Sequence, residues 1–462
     1  MSQDTKLTKA EKIKWFMTVL VPVLIYLIPT NDLYTTDMRL FLVITVAAIL
    51  LVAFELIDII ISSIFMLFAY TLTGIAPASV AFQGFTASST FLVLGCLVLV
   101  AVLDESGVLE RISYWCMIRF GNSFKGILWG IFFAGLITSA MTMGNSFALI
   151  AAFAYGIIRA LRLEGSKAAS AIGLVAAVST VAVRGFIYAP MLIAVQVAQS
   201  QSILGETFHL NWYNVLVNNW PIILSVVVTI WLITKMYKPE GAISGRDYFV
   251  EQYEKLGAMK VKEKKTLFVL LLIIIWMLLD PILPVSSDYA LILLPWLCFF
   301  PFIDVGHSDT LKKVSFSTVF FVPACFGIGN VATSLGMGQM IADMVMPVAT
   351  QAGSVGVLAV VYALTVLLNF LMTPYAIHAC MTVPFMNIAL QMGIDPYAIN
   401  FMLMHGSDMV LMPYEYTPYL VVFAFGMIKM TEFMKVMAVK MLVTTAVLFA
   451  IIVPYWGILG LY

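Results

Sequence analysis

Charge is the scarcest commodity in this sequence. Only 11% of its 462 residues are Asp, Glu, Lys or Arg, well under the roughly 25% of an ordinary soluble domain, and 62% are hydrophobic. A soluble enzyme is excluded. The 25 basic and 25 acidic residues cancel, so no basic field exists to hold a phosphate backbone, and nucleic acid is excluded as a partner. Cysteine and histidine are few as well. Cys96, Cys116, Cys298, Cys325 and Cys380 show no CxxC and no Cys/His ligand spacing, so they read as small packing residues and not as a disulfide framework or metal site. His209 and His307 fall in loops, and His378 and His405 in apolar segments without metal-ligand spacing. No GxSxG, HExxH or paired intramembrane Asp motif occurs, which speaks against an intramembrane enzyme. No cofactor and no metal are expected.

What the chain has is apolar length. At about 20 residues per crossing, it supplies about ten crossings of a lipid bilayer with little left for a soluble domain. The fold expected is an all-α polytopic membrane protein. Lys6, Lys9, Lys12 and Lys14 precede the first apolar run, and Lys235, Lys238, Arg246, Lys255, Lys260, Lys262, Lys264 and Lys265 crowd one central loop. Both segments are expected on the cytoplasmic side of a bacterial inner membrane. No charge follows Lys440, and the chain ends in IIVPYWGILGLY, which suits an external C-terminus. The polar N-terminal stretch lacks a following cleavage site and reads as a retained tail.

Apolar runs fall near 14–29, 38–54 and 56–74, then in a tract at 77–103 and in runs near 126–161, 168–200 and 214–236. After the central loop come 265–283, 287–303, a second tract at 314–336, and runs near 354–392, 396–428 and 432–459. The same order appears twice. VLVAVLDESGVLERI (98–112) resembles IGNVATSLGMGQMIA (328–342), each turning around a glycine, Gly107 or Gly336. Such duplication suits inverted-topology repeats whose interrupted helices meet at a central site. The division expected is N-terminal scaffold helices at 1–76, a first repeat at 77–237, a cytoplasmic loop at 238–264, connecting scaffold helices at 265–309 and a second repeat at 310–462.

Four interruptions carry the chemistry. Gly144, Asn145 and Ser146 are poor helix formers in succession, and a break there opens the positive end of a half-helix to an anion; the alternative is a seam of small packing residues. Thr373, Pro374 and Tyr375 interrupt the corresponding run of the second half, where a plain proline kink is the alternative. The third and fourth are VAVRGFIYAPMLIAV (181–195) and SDMVLMPYEYTPYLVV (407–422). Aligning Pro190 with Pro418 sets Tyr188 opposite Tyr416 and Ile187 opposite Glu415. Arg184, Asp408 and Glu415 lie in apolar sequence, where a charge costs about 2.5–3.5 kcal/mol, so they mark either a cavity or structural ion pairs. His378, about one turn past the second break, is placed to titrate at the same site.

The whole chain resembles the divalent anion/sodium symporter family, which includes dicarboxylate and citrate carriers. The likeness rests on ASSTFLVLGCLVLVAVLDESGVLERI (87–112), the helix breaks and YTPYLVVFAFGMIKMTEFMK (416–435). The resemblance implies a homodimer in which each protomer has a scaffold and an elevator-type transport domain, with re-entrant hairpins and broken helices holding substrate carboxylates and sodium. By position, the first Ser-Asn-Thr motif falls on Gly144, Asn145 and Ser146, and the second on Met372, Thr373 and Pro374. The Thr-Pro-Pro-Asn motifs fall on Tyr188, Ala189, Pro190 and Met191, and on Tyr416, Thr417, Pro418 and Tyr419. The chain is therefore a divergent member lacking both Ser-Asn-Thr motifs.

The expectation is a secondary transporter of a small organic anion, a di- or other carboxylate. Gly144, Asn145, Ser146, Thr373 and half-helix NH groups would hold the substrate, with Pro190, Pro374, Thr417 and Pro418 shaping the breaks. Arg184 would add charge, and Tyr188 and Tyr416 would bound the pocket. Coupling to sodium or protons stays open, with Glu415, Ile187 and His378 as the candidate coupling positions. Two alternatives stand: a carrier of a zwitterion or cation held by Tyr414, Tyr416 and Tyr419, and a channel.

Overall fold

The computed structural model describes residues 9–462 except 55, 206–207, 238, 240–244, 281, 284, 287 and 371–373. The described residues form helices and turns and no strand, as lipid demands of a chain that must satisfy its backbone groups locally. The chain opens with α1 (Lys9–Tyr26), α2 (Thr36–Ala53) and α3 (Ile59–Leu72). Thr35 and Asp58 begin the latter two by accepting the amides of Met38 and Ile60, which satisfies donors that a helix start leaves free. α4 (Ala78–Ala81) and a 3-10 turn lead into α5 (Ser88–Ser106) and α6 (Val108–Phe120), followed by α7 (Phe124–Met141), α8 (Phe147–Ala160), α9 (Lys167–Val181) and α10 (Pro190–Leu204). α11 (Trp212–Asn219) and α12 (Ile223–Met236) close this half.

The central segment carries α13 (Arg246–Lys255), and α14 (Val261–Leu279), α15 (Asp288–Leu293) and α16 (Ser308–Leu311) connect to the second half. That half runs through α17 (Phe316–Ser334), α18 (Met337–Leu368), α19 (Pro374–Gln391), α20 (Pro396–Ser407), α21 (Thr417–Ala424), α22 (Met430–Val447) and α23 (Val453–Ile458). The two halves correspond element by element. α5 turns into α6 at Gly107 with φ 82°, and α17 into α18 at Gly336 with φ 74°. These are left-handed positions that only glycine takes freely. α18 is itself two helices kinked at Gly353 (φ 67°), so its halves match α6 and α7.

Among the described residues, Phe124–Met141, Trp212–Met236, Gln351–Leu368 and Met430–Ile458 are long and apolar enough to cross a membrane unbroken. Most of the remaining apolar sequence lies in shorter helices because glycine and proline interrupt it. The chain is an integral membrane protein, built largely from interrupted helices.

The tract at 77–103 holds α4, a 3-10 turn and most of α5, and that at 314–336 holds α17. The first reversal occurs at 142–146, and in the second half α18 ends at Leu368 and α19 begins at Pro374. Phe120 and Met117 of α6 lie against Gly130 of α7, while Tyr114 of α6 meets Phe153 of α8 edge-on at 5.1 Å. The chain has therefore come back beside α6 after leaving it, so α7 and α8 form a helical hairpin. In the second half, Asn369 at the end of α18 bonds the Gly406 carbonyl at 2.9 Å, and His378 of α19 bonds Ser407 at 2.9 Å. Both arms thus meet one end of α20.

Each half grips the other. Met38, Met66, Leu67 and Tyr70 of α2 and α3 pack with Ala324, Ile328 and Val331 of α17, whereas α5 packs on α15, with Gly95 so close to the Leu291 carbonyl that any side chain would collide. From α10, Gln196 donates to the Asn400 carbonyl at 2.8 Å. The basic central segment is not a bare loop: Phe249 of α13 is fully buried against Gly121, and Arg111 of α6 pairs with Glu263 of α14 through two bonds of 3.0 and 3.1 Å.

Candidate functional site

The site is built where interrupted helices end. At the first hairpin tip, Met143 (φ 51°) and Gly144 (φ 86°) both take left-handed backbone, which reverses the chain and lets the Gly144 and Met143 amides close the carbonyl end of α7 on Ser139 (2.7 Å) and Ala140 (3.4 Å). For methionine this conformation carries a steric cost. Ser146 stands at the N-cap of α8 without capping it, because its hydroxyl bonds Ser139 at 2.5 Å. The first amides of α8 therefore keep their positive end open. Asn145 braces the tip by donating to the carbonyls of Thr142 and Met143, each at 3.3 Å.

The third interruption is a true broken helix. α9 ends in a 3-10 turn, Ala182–Gly185, and Pro190 opens α10, where its missing NH costs nothing and its fixed φ suits a first turn. Arg184 rises from that turn and is 5% exposed. Its Nη2 donates to the Gly144 carbonyl at 3.0 Å, and its guanidinium lies 4.8 Å from the centre of the Tyr416 ring. Three interruptions, in both halves of the chain, thus meet at one side chain. The Nε and Nη1 groups of Arg184 are buried and have no partner among the described residues.

In the second half, α20 ends at Ser407 and α21 resumes at Thr417, with Pro418 in its first turn. Asn369 donates to the carbonyls of Gly406 (2.9 Å) and Met409 (3.1 Å). Lys440 of α22 donates to the Asp408 carbonyl at 2.8 Å, with the Asp408 carboxylate 3.9 Å away. Around this junction the hydroxyls of Tyr416 and Tyr419, Asn369 Oδ1 and His378 Nδ1 are also buried without a partner among the described residues. Folded proteins leave few such groups, since each costs about 1–3 kcal/mol. Their gathering at the helix breaks marks a place suited to a polar guest.

Of the residues expected from sequence, Gly144, Arg184 and Tyr416 come together, and Asn145 and Ser146 share the tip with Gly144. Pro190, Pro374, Thr417 and Pro418 begin helices, as their positions implied. Thr373, with Met372, lies outside the described residues. Others differ. Tyr188 turns to α15, donating to Asp288 at 2.8 Å, and so joins the break to the connecting helices. Ile187 packs on the large apolar core and offers no ligand atom in its side chain. The Glu415 carboxylate accepts the amides of Leu411 (3.1 Å) and Met412 (2.9 Å), which makes it the cap of its own turn, and no ion pair joins it to Arg184 among the described residues. An aromatic cage for a ligand ammonium is also disfavoured: the Tyr416 ring already carries Arg184, with Tyr419 edge-on to it at 6.0 Å. Sequence reasoning treated Lys440 as a marker of topology and passed over Asn369. The signal was present, since Lys440 stands between apolar residues in a run that crosses the membrane.

Two like halves with a buried guanidinium between their helix breaks define a membrane transporter, not an enzyme. Residues 49–406 match the citrate transporter family, and the chain belongs to that family. No curated protein matches it. Among solved structures, the YdaH transporter of Alcanivorax borkumensis is similar with a TM-score of 0.58 at 12% identity, over 97% of this chain and 98% of that one. MtrF of Neisseria gonorrhoeae, described as illuminating a class of antimetabolite efflux pumps, is similar with a TM-score of 0.54 at 12% identity, over 96% and 94%. These two likenesses show the fold.

Proposed function

We propose that this secondary transporter carries a small organic anion with more than one carboxylate, citrate being the first to test, by elevator-type alternating access. The observation that carries the substrate class is Arg184: a buried guanidinium whose Nε and Nη1 have no partner among the described residues, beside the uncapped start of α8. A planar fork of this kind suits a carboxylate better than any neutral guest. Asn145, Ser146 and the hydroxyls of Tyr416 and Tyr419 would complete the polar lining. The moving unit would comprise both hairpins and both broken helices, sliding against α1 to α3, α14 and α15 in a homodimer. An N-terminus on the cytoplasmic side of the inner membrane follows from the lysine pattern.

Counterflow in proteoliposomes tests this. Vesicles preloaded with citrate should accelerate uptake of labelled citrate, with competition from di- and tricarboxylates and none from amino acids. Equal uptake in loaded and empty vesicles would instead describe a channel. Competition by amino acids alone would overturn the substrate class. A purely monomeric mass in mild detergent would count against the homodimer.

A further inference from the structure

At two of the interruptions, backbone carbonyls are occupied by nitrogen donors of the protein's own side chains. At the end of α20, Asn369 covers the carbonyls of Gly406 and Met409, and Lys440 covers that of Asp408 at 2.8 Å. At the hairpin tip that follows α7, Arg184 covers that of Gly144 at 3.0 Å. Both cations are buried, Lys440 at 4% and Arg184 at 5% exposure, and Lys440 stands within the membrane-crossing stretch Met430–Ile458. Helix C-termini carry partial negative charge. In carriers made from broken helices these ends coordinate the coupling cation. An ammonium or guanidinium NH directed at a carbonyl uses the lone pair that a metal ion would need.

We infer that Arg184 and Lys440 are resident cations: tethered charges that fill the role of a dissociable cation at the first hairpin tip and at the end of α20, so that loading and translocation of the substrate need no sodium. The inference rests on the transporter reading above. It also accounts for the partly buried Asp408 carboxylate, 3.9 Å from Lys440, whose charge is costly in a membrane without a nearby cation. Asn369 supplies neutral donors to the same helix end, so α20 terminates without recruiting anything from solution.

The test uses the full-length protein in proteoliposomes with labelled citrate as the probe. For the wild type, replacing sodium by choline on both sides should leave uptake within about twofold, because no binding step depends on the ion. Lys440→Ala should lower uptake in choline by about a hundredfold, the penalty of leaving a buried partner charge alone, and sodium or methylammonium should restore part of it by entering the space left. Lys440→Arg should retain a part without added cation. A strict sodium requirement in the wild type overturns the inference, as does a Lys440→Ala protein that transports normally in choline. A folded variant that no small cation restores also overturns it, since Lys440 would then be a packing element. Should the alanine variant fail to fold, Lys440→Met keeps the buried volume and takes its place. The melting temperature of the citrate-free wild type in sodium chloride against choline chloride gives a readout that does not require transport: a sodium-specific rise overturns the inference. A protein that neither binds nor moves a carboxylate under any salt instead defeats the substrate reading, and this melting comparison still decides the cation question.

Discussion

Replacing Arg184 by methionine separates a binding role from a structural one by the sign of its effects. In the empty protein the guanidinium makes one charged hydrogen bond, to Gly144 at 3.0 Å, worth about 1.5–3 kcal/mol, and one cation-π contact with Tyr416, worth about 2 kcal/mol when desolvated. Against these stand two buried nitrogens, Nε and Nη1, without partners among the described residues, each costing about 1–3 kcal/mol. The terms offset, and methionine fills much of the same volume. The melting temperature of the empty protein should therefore change little. With citrate bound, the two free NH groups would make charge-assisted bonds to a carboxylate, so their loss should weaken binding by at least about 3 kcal/mol, about two orders of magnitude in Kd. Thermal shift with and without citrate reads both effects in one experiment, since a ligand raises stability according to its occupancy. Arg184→Met should melt close to wild type and lose the citrate-dependent rise. Arg184→Lys should recover it only in part, because a point charge does not reproduce a planar fork. A variant that melts far lower yet keeps the full citrate shift would refute the reasoning and make Arg184 a structural brace.

Two further outcomes follow from the geometry. Tyr188→Phe removes the 2.8 Å bond to Asp288 that joins the first broken helix to α15; if that bond forms in one transport state only, the balance of states moves by about 1–2 kcal/mol and counterflow rates change several-fold with citrate affinity nearly constant, whereas unchanged rates would show that the contact does not cross the moving boundary. Glu415→Gln should lower the melting temperature, because it breaks one of the two bonds that close its own turn, about 1–3 kcal/mol, and should leave the response to a proton gradient as in the wild type; a normal melting point with loss of gradient-driven uptake would return Glu415 to a proton-carrying role.

Much of this molecule was legible in its residues alone. Membrane residence follows from 11% charge over 462 residues, a global property that no particular packing can reverse. The positions of all four interruptions were legible too, because Gly144, Pro190, Pro374 and Pro418 act through local backbone chemistry that needs no distant partner. The doubling of the element order could likewise be read along the chain, since Gly107 and Gly336 mark the same left-handed turn in each half. What an interruption does with the chain was not legible. A run broken at 142–146 and one broken at 182–189 look alike as strings, yet the first reverses and the second continues. The difference lies in the left-handed pair at Met143 and Gly144 and in the neighbours that α8 finds beside α6. The roles of single charges were equally hidden. Arg184 and Glu415 are close in a motif alignment, but one reaches across to Gly144 and Tyr416 and the other folds back on its own turn. Lys440 meets Asp408 only because α22 packs near the end of α20. Local conformational preference is written residue by residue, whereas the partner of a buried charge is whichever group the packing of distant helices brings within reach, and that only the tertiary structure decided.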